Sequence, residues 1–574
     1  MPLKDVLFDF FLPIFNLLSM FELQDKKILL ANLRSSSCTH ANATLCYKNV
    51  MAFLPLMNKD FNRNNAFLDV AIHNINDLEG GHLGNRKHRP NHICARFGAA
   101  GIGALTEHGI HKKSHGERIK DYTFVHNSGR GKLFFDFRNH LLGNMGMKRA
   151  EDKAKNDIPA KITISMSQSK RSGVHDFREQ LRAIQSHFPK DKVHVQEYNM
   201  LELPLTTQLE IASETSIFIS VMGDGALPAF FLPWGATLIL FYNDESEFVS
   251  VTKSEKTFPV KLDWDLWNNL SYIRVHWLPL GGKNGAEDLD MLLKLISTTL
   301  DLKMHTPDRN TGDKRSGTPD GTFNGVDVHF VDGRNQASTC HCVGENFQDE
   351  AQTFRSCQFQ YMCLDLNSEH RNFSLAVSRQ QSELMHSIEK RDTSPAFVST
   401  SATGRSSMMI GQTIRFHQGS GWFPVSSDVP LESFYEISGD VVWVPFYAEQ
   451  PNINNPGHLI WDYFMPFFNL LAMFGLEDHQ LLLSNIDDSC SPDADNPCWG
   501  LMTKFLPLLG VDPSTFQSTR TSVLNINGES RRSSIVCARN AVAGIGFLTG
   551  KSSNKNRDNS LLNHNFDLIG WESY

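Results

Sequence analysis

With 574 residues the chain is too long to fold around one core, and three or four domains are expected. Hydrophobic residues make up 41% and charged residues 21%, the balance of an ordinary soluble globular protein and not of a disordered or fibrous one. A formal charge of −8 argues against a polyanion-binding surface, local basic clusters aside, so no nucleic-acid partner is expected.

Residues 5–30 read as an amphipathic helix running into a short buried strand, Ile28-Leu-Leu-Ala31, with Pro13 kinking or breaking the helix. The apolar run after Lys4 has the outline of a signal peptide. Asp5, Asp9 and Asn16 interrupt it, however, and the same segment returns at 458–474, where no signal peptide can stand. Asp5–Phe21 and His458–Phe474 agree at nine of 17 positions without a gap, including Asp9/Asp462, Pro13/Pro466 and Asn16/Asn469. The likeness continues through Cys38…Cys46 and Cys490…Cys498, and through Phe53-Leu-Pro-Leu56 and Phe505-Leu-Pro-Leu508. It ends in Cys94-Ala-Arg…Gly101-Ile-Gly103 and Cys537-Ala-Arg…Gly544-Ile-Gly546. A repeat of this length is a duplicated domain, not a solenoid period. The flanks of the two copies differ, so the first copy is expected to lack its own beginning. No run reaches the about 18 uninterrupted apolar residues of a membrane helix, so a membrane anchor is expected to be absent from this chain.

Further along, Val50–Met57 looks helical, Ile93–Arg96 is a strand entering a small-residue turn, and Asp136–Lys153 is a basic helix. Strands then alternate with helices: Lys161–Ser165, Asp176–Phe188, Val193–Glu197, Leu205–Glu214, Ser216–Val221, Ala226–Leu232 and Ala236–Tyr242. Such alternation predicts a parallel sheet covered on both faces, a Rossmann-like α/β domain over 155–300. Residues 301–338 are polar and read as a linker. Residues 339–374 are cysteine-rich, 376–406 polar and Ser-rich, and the second copy begins near Ile410, with a strand at Val441–Pro445.

Of the ten cysteines, three recur in each copy, and Cys340, Cys342, Cys357 and Cys363 crowd together. Matched, closely spaced cysteines suggest disulfides in an oxidising compartment, with a structural zinc site as the alternative for the second group. Asn42-Ala-Thr44, Asn269-Leu-Ser271 and Asn372-Phe-Ser374 have the form of glycosylation sequons, a triplet that also arises by chance.

Two loops carry the candidate chemistry. Val221-Met-Gly223-Asp224-Gly225-Ala226 joins a buried strand to a helix, where glycines and a helix N-terminus suit a diphosphate or simply make a tight turn. Ser165-Met-Ser167-Gln-Ser-Lys170-Arg171-Ser-Gly173 leaves the first strand at the same sheet edge; its hydroxyls and two cations suit phosphate oxygens or a solvated loop. Asp263-Trp-Asp265 is a DxD triplet, but Asp288-Leu-Asp290 and Asp493-Ala-Asp495 show that such triplets recur by chance here, and no metal is expected.

The order of a strand and basic loop, Gln208 in a helix, then a strand into Gly223-Asp-Gly225-Ala226-Leu…Phe231-Leu-Pro-Trp-Gly235-Ala resembles family-61 glycosyltransferases. These include plant xylosyl- and arabinosyltransferases and enzymes that add N-acetylglucosamine to extracellular or O-mannosylated proteins. Gly457-His458…Trp461-Asp462 and Cys537…Gly544-Ile-Gly546 resemble the upstream half of that family. The resemblance implies an α/β, GT-B-like fold of Rossmann-like halves, with a nucleotide sugar held mainly by the C-terminal half and inversion at the anomeric carbon. It assigns donor contacts to Ser167, Lys170, Arg171, Gln208, Gly223, Asp224, Gly225 and Ala226, and an acceptor-side role to His458. Asp224 stands where the family has His, and Asp5 where the second copy has His458. An inverting transfer needs a base for the acceptor hydroxyl. Asp9 and its counterpart Asp462 are the candidates, the alternative being an acid that caps or pairs within an apolar helix.

The expected organisation is therefore a truncated acceptor-side half (1–150), a nucleotide-sugar domain (155–300), a linker (301–338), and a cysteine-rich lead-in with a second acceptor-side half (339–574). The expected activity is sugar transfer from a UDP-sugar substrate to a glycan or glycoprotein hydroxyl, without a cofactor, in the Golgi or endoplasmic reticulum lumen. The alternatives are a non-catalytic scaffold that keeps the fold, or a fusion of two neighbouring gene fragments.

Overall fold

The structure is a computed structural model of the full chain and describes residues 6–24, 30–31, 53–57, 72–73, 130–147, 159–166, 168–169, 173–174, 177–243, 266–280, 285–301, 318–336, 338–343, 356–368, 373–376, 410–411, 421–422, 425–427, 431–446, 465–476, 480–485, 517–518, 523–528 and 530–543.

The N-terminal segment opens as a π-helical turn, Val6–Phe11, and becomes an α-helix, α1 (Leu12–Met20), with Pro13 in its first turn. Proline is tolerated there because the first helical N–H groups have no intrahelical partner, so Pro13 starts the helix and does not kink it. Leu54–Met57 forms a 3₁₀ turn. The next helix, α2 (Gly131–Asn144), begins and ends earlier than the basic pattern suggested, and Gly146 follows it at φ +69°. Its buried residues Phe134, Phe135, Phe137, Arg138, Leu141 and Leu142 lie at helical spacing along one stripe.

Five strands then build an all-parallel sheet: β1 (Ala160–Ser165), β2 (Val193–Tyr198), β3 (Ile217–Val221), β4 (Thr237–Asn243) and β5 (Arg274–Leu280), in the order β2-β1-β3-β4-β5. Helices α3 (Arg178–His187), α4 (Leu205–Ser213) and α5 (Gly285–Asp301) punctuate them. Strand β5 and helix α5 extend the predicted alternation. Successive residues of a strand face opposite sides. Thus Ile162, Ile164, Ile217, Ile219, Ile239 and Phe241 pack with Phe177, Ile184, Leu292, Leu295 and Ile296 beneath α3 and α5. On the other face Phe218, Leu238, Leu240, Val275 and Trp277 share one core with α2, α4 and the N-terminal segment, through Val6, Leu7, Phe8, Phe11, Leu12 and Phe15. The described parts of residues 6–57 and 131–145 therefore cover one face of the α/β sheet.

The rest of the described chain is built on a second, mixed sheet of 12 strands. It opens with the hairpin β6 (Gly321–Phe323) and β7 (Val326–Gln336). These residues fall in the stretch expected to be a linker, and the expectation is corrected: they are paired strands. The turn is the reason. Asn324 and Gly325 take φ +49° and +81°, the two left-handed conformations that a two-residue hairpin needs. Next come β8 (Thr339–Val343), β9 (Ser356–Gln360), β10 (Met362–Asp365), β11 (Phe373–Ala376), β12 (Val425–Ser427) and β13 (Leu431–Phe446). Helix α6 (Met465–Met473) follows, then β14 (Gln480–Asn485), β15 (Gln517–Ser518), β16 (Leu524–Ile526) and β17 (Ile535–Ala543).

The main path of that sheet runs β12-β11-β10-β17-β13-β7-β6-β16, mostly antiparallel. Strand β13 changes partners along its length. Its first half pairs with β7, and its last six residues, Val441–Phe446, run parallel to β14, so that α6 is the crossover between two parallel strands. Two disulfides, Cys342–Cys357 and Cys363–Cys537, join residues directly opposite one another on β8/β9 and β10/β17. The other matched cysteines lie outside the described residues.

The two sheets meet at Ser271. Its hydroxyl donates to the Met473 carbonyl at the end of α6, and its carbonyl accepts from Nε2 of His341 on β8 at 3.0 Å. A Cβ at Gly131, the first residue of α2, would run into the Ser271 hydroxyl, so glycine lets α2 approach. Asn269 and Ser271 are both buried, which removes Asn269-Leu-Ser271 as a glycosylation site. No helix among the described residues is long and apolar enough to cross a membrane.

Candidate functional site at the sheet switch point

In the order β2-β1-β3-β4-β5, the connection from β1 leads to one side of the sheet and the chain then returns to the other, so the carboxyl ends of β1 and β3 are the switch point at which open α/β sheets form a ligand crevice. Both candidate loops open there. The loop after β1 begins at Met166, whose N–H donates to the Tyr198 carbonyl at 2.9 Å, and continues as the short antiparallel pair Gln168–Ser169 and Gly173–Val174. Ser167, Lys170 and Arg171 lie outside the described residues. The loop after β3 contains Gly223, exposed, at φ +128° and ψ −160°. Only glycine populates that region readily, so this backbone path depends on the missing side chain.

The two loops are tied together. Ser165 at the end of β1 donates its hydroxyl to the Gly225 carbonyl at 2.8 Å, and both residues are buried. From Gly223 the chain enters a 3₁₀ helix, Asp224–Phe231, with the Ala226 N–H on the Gly223 carbonyl at 3.0 Å. Ala226 is fully buried. The backbone of Asp224 opens this helix; its side chain lies outside the described set. Gln208 is buried on α4, and its amide donates to the Leu203 carbonyl at 2.9 Å. That bond ties the start of α4 to the turn before it and gives Gln208 a structural role.

Asp9 belongs to the π-helical turn, and its neighbour Phe8 meets Phe230 of the 3₁₀ helix edge-on, ring centroids 5.1 Å apart. The N-terminal segment is thus seated on the element that follows the glycine loop. Asp462 and His458 lie outside the described residues, as do Asp263 and Asp265.

Residues not singled out in the sequence hold this 3₁₀ helix from behind. Tyr272 donates its hydroxyl to the Phe230 carbonyl at 2.6 Å, and Arg138 donates Nη2 to the Phe231 carbonyl at 3.2 Å. The Arg138 guanidinium also lies 5.7 Å and 5.9 Å from the rings of Phe135 and Tyr272. Burial pushes the Tyr272 phenol far above its usual range, only partly offset by Arg138, so it stays a protonated donor. The signal for Arg138 was its place in Phe134-Phe-Asp-Phe-Arg138, one helical turn from two phenylalanines on the buried stripe.

Among the described residues the one group of three metal-ligand types is Cys340, Cys342 and Cys357 on β8 and β9, two of which form a disulfide. No protein-family model matches this sequence, and no curated protein does.

Proposed function

We propose that the protein transfers a sugar from a nucleotide-sugar donor to a glycan or glycoprotein hydroxyl, with inversion, and that the donor diphosphate sits at the β1/β3 crevice. The observation that carries this reading is the junction of the two candidate loops at that crevice through Ser165 and Gly225, with Gly223 exposed in a glycine-only conformation. Backbone N–H groups at the start of the 3₁₀ helix and the cations Lys170 and Arg171 are the chemistry such a diphosphate needs. Asp9, carried by the segment seated on that helix, is the proposed base, and Asp462 its counterpart. The GT-B-like reading treats the α/β domain as the donor half. The parallel unit β13–α6–β14 then stands for an acceptor-side half in a tandem duplication. Two disulfides fit an oxidising compartment, and we place the protein in the Golgi or endoplasmic reticulum lumen.

The test uses the full chain, because the N-terminal segment covers one face of the donor sheet. UDP is expected to raise the melting temperature in a concentration-dependent way, by an amount that grows as RT ln(1 + [L]/Kd). Lys170→Ala with Arg171→Ala is expected to abolish that shift. UDP-sugar turnover is expected to collapse in Asp9→Asn while the melting temperature holds. No shift with any nucleoside diphosphate would favour the alternative, a scaffold that keeps the fold without turnover.

A further inference from the structure

Strand β2 lies beside β1 at the edge of the parallel sheet, on the side away from the glycine loop. Its Val193 and Val195 pack with Ile162 and Ile164 beneath α3, so the two-residue period puts Glu197 on that same face at the carboxyl end. Glu197 stands level with Ile164 of β1. The carbonyl of the next residue, Tyr198, takes the Met166 N–H at the start of the loop after β1. Helix α3 is the crossover between β1 and β2, so it runs back along them and its first turn lies at the same edge. Gln180 belongs to that turn, four residues before the buried Ile184 and so on the sheet-facing stripe.

Three side-chain oxygens at this edge are shielded from solvent yet meet no donor among the described residues: Oε1 of Glu197, Oδ1 of Asn199 and Oε1 of Gln180. Asn199 opens the 3₁₀ turn Met200–Glu202, where an Asn side chain ordinarily accepts from a free N–H, and it makes no such bond. An acceptor held out of water without a donor costs stability. All three oxygens are acceptors, so the group that satisfies them is one that offers hydrogens. The side chains themselves are half-buried, within reach of a ligand at that edge.

We propose that Glu197 and Asn199 bind the ribose 2′,3′-diol of a nucleoside diphosphate whose phosphates lie at the β1/β3 switch point, with Gln180 as a further acceptor. This rests on the donor-site reading above and adds to it a preference for ribonucleotides. Strands β1 and β2 are neighbours, about 4.8 Å apart. One carbon separates the ribose ring from the first phosphate ester oxygen, so a diphosphate at β1 brings the ribose to the end of β2. Its vicinal hydroxyls supply two donors, and a carboxylate accepts both.

The experiment compares UDP with 2′,3′-dideoxyuridine diphosphate by isothermal titration calorimetry on the full chain, with and without EDTA. UDP is expected to bind at least about tenfold more tightly, the factor that a hydrogen bond to a charged group supplies. In Glu197→Ala the two nucleotides are expected to bind alike, at the dideoxy affinity. Glu197→Gln keeps one acceptor oxygen and is expected to recover part of the preference. Equal binding of both nucleotides by the unmutated protein would overturn the inference and leave the donor-site reading standing. Binding of neither would remove the donor-site reading and this inference with it. A preference that EDTA abolishes would also overturn it, by assigning the oxygens to a divalent cation.

Discussion

Helices α1 and α6 come from the repeated segment and span corresponding residues, Leu12–Met20 and Met465–Met473. Both carry an Asn amide directed at the Met sulfur one turn on, Asn16 to Met20 at 3.7 Å and Asn469 to Met473 at 3.9 Å. They also end alike: Leu23 donates to Leu18 and Leu476 to Leu471, the long-range bond of a Schellman cap. Yet they bury opposite ends. Phe15 of α1 is 5% exposed, against Phe137 and His140, while its counterpart Phe468 is 54% exposed. At the C-terminal end the order reverses, with Phe21 58% exposed and Phe474 fully buried beside His341. Local sequence determines the helix and its cap; the neighbours determine which face is buried.

The largest expected effects follow from that reversal. Phe15→Ala is expected to cost about 3–5 kcal/mol and Phe468→Ala less than about 0.5 kcal/mol, measured by urea denaturation. Phe474→Ala and Phe21→Ala are expected to show the same contrast with the copies exchanged. Equal losses at Phe15 and Phe468 would mean that the two helices are embedded alike, against the structure.

The next effect tests the burial of the α6 end through His341. Its Nε2 donates to Ser271, and its pKa is lowered to about 3, first by burial, then by Arg274 and more weakly by His276, so the ring is neutral near pH 7. The unfolded chain takes up a proton near the ordinary pKa of about 6.5, whereas the folded chain does not until far lower pH. Stability from this group is therefore complete above pH 6.5 and is lost as pH falls toward 3. Between pH 7.5 and pH 5 the loss is about 2 kcal/mol. His341→Gln can still donate to Ser271 but does not titrate, so that component of the pH slope should disappear. An unchanged slope in the variant would remove His341 as its source.

The same division between local and long-range causes explains what could be read from the sequence. The alternation over residues 160–243 was legible because strand and helix periods differ and parallel strands are nearly all apolar. The hairpin at 321–336 was also marked, by Asn324-Gly325 between alternating residues, but the polar residues before it obscured the signal. Strand β5 was harder. Arg274 and His276 are buried in it and Pro279 lies within it, so its composition does not read as a core strand. The switch point of the sheet follows from strand order, so the edge that carries both candidate loops was predictable once the strands were placed. What no local pattern contained was the meeting of Ser271 with Met473 and His341, residues 202 and 70 positions apart in the chain. Nor does spacing tell that Arg138 reaches the carbonyl of Phe231, 93 positions away.

The smallest effect is the most local. After the last turn of each helix the chain passes through a left-handed residue, Gly475 at φ +68° in the second copy and Glu22 at φ +55° in the first. A Cβ in that region meets the following carbonyl, which costs about 1–2 kcal/mol, whereas glycine avoids the clash but loses more conformational freedom on folding. The two terms leave a net gain of about 0.5–1 kcal/mol for Glu22→Gly. Glu22 is exposed, so its side chain gives up little packing. Gly475→Ala should cost a similar amount at the matched position. If Glu22→Gly is neutral while Gly475→Ala destabilises, the first cap is held by its surroundings and the likeness of the two helix ends is one of geometry alone.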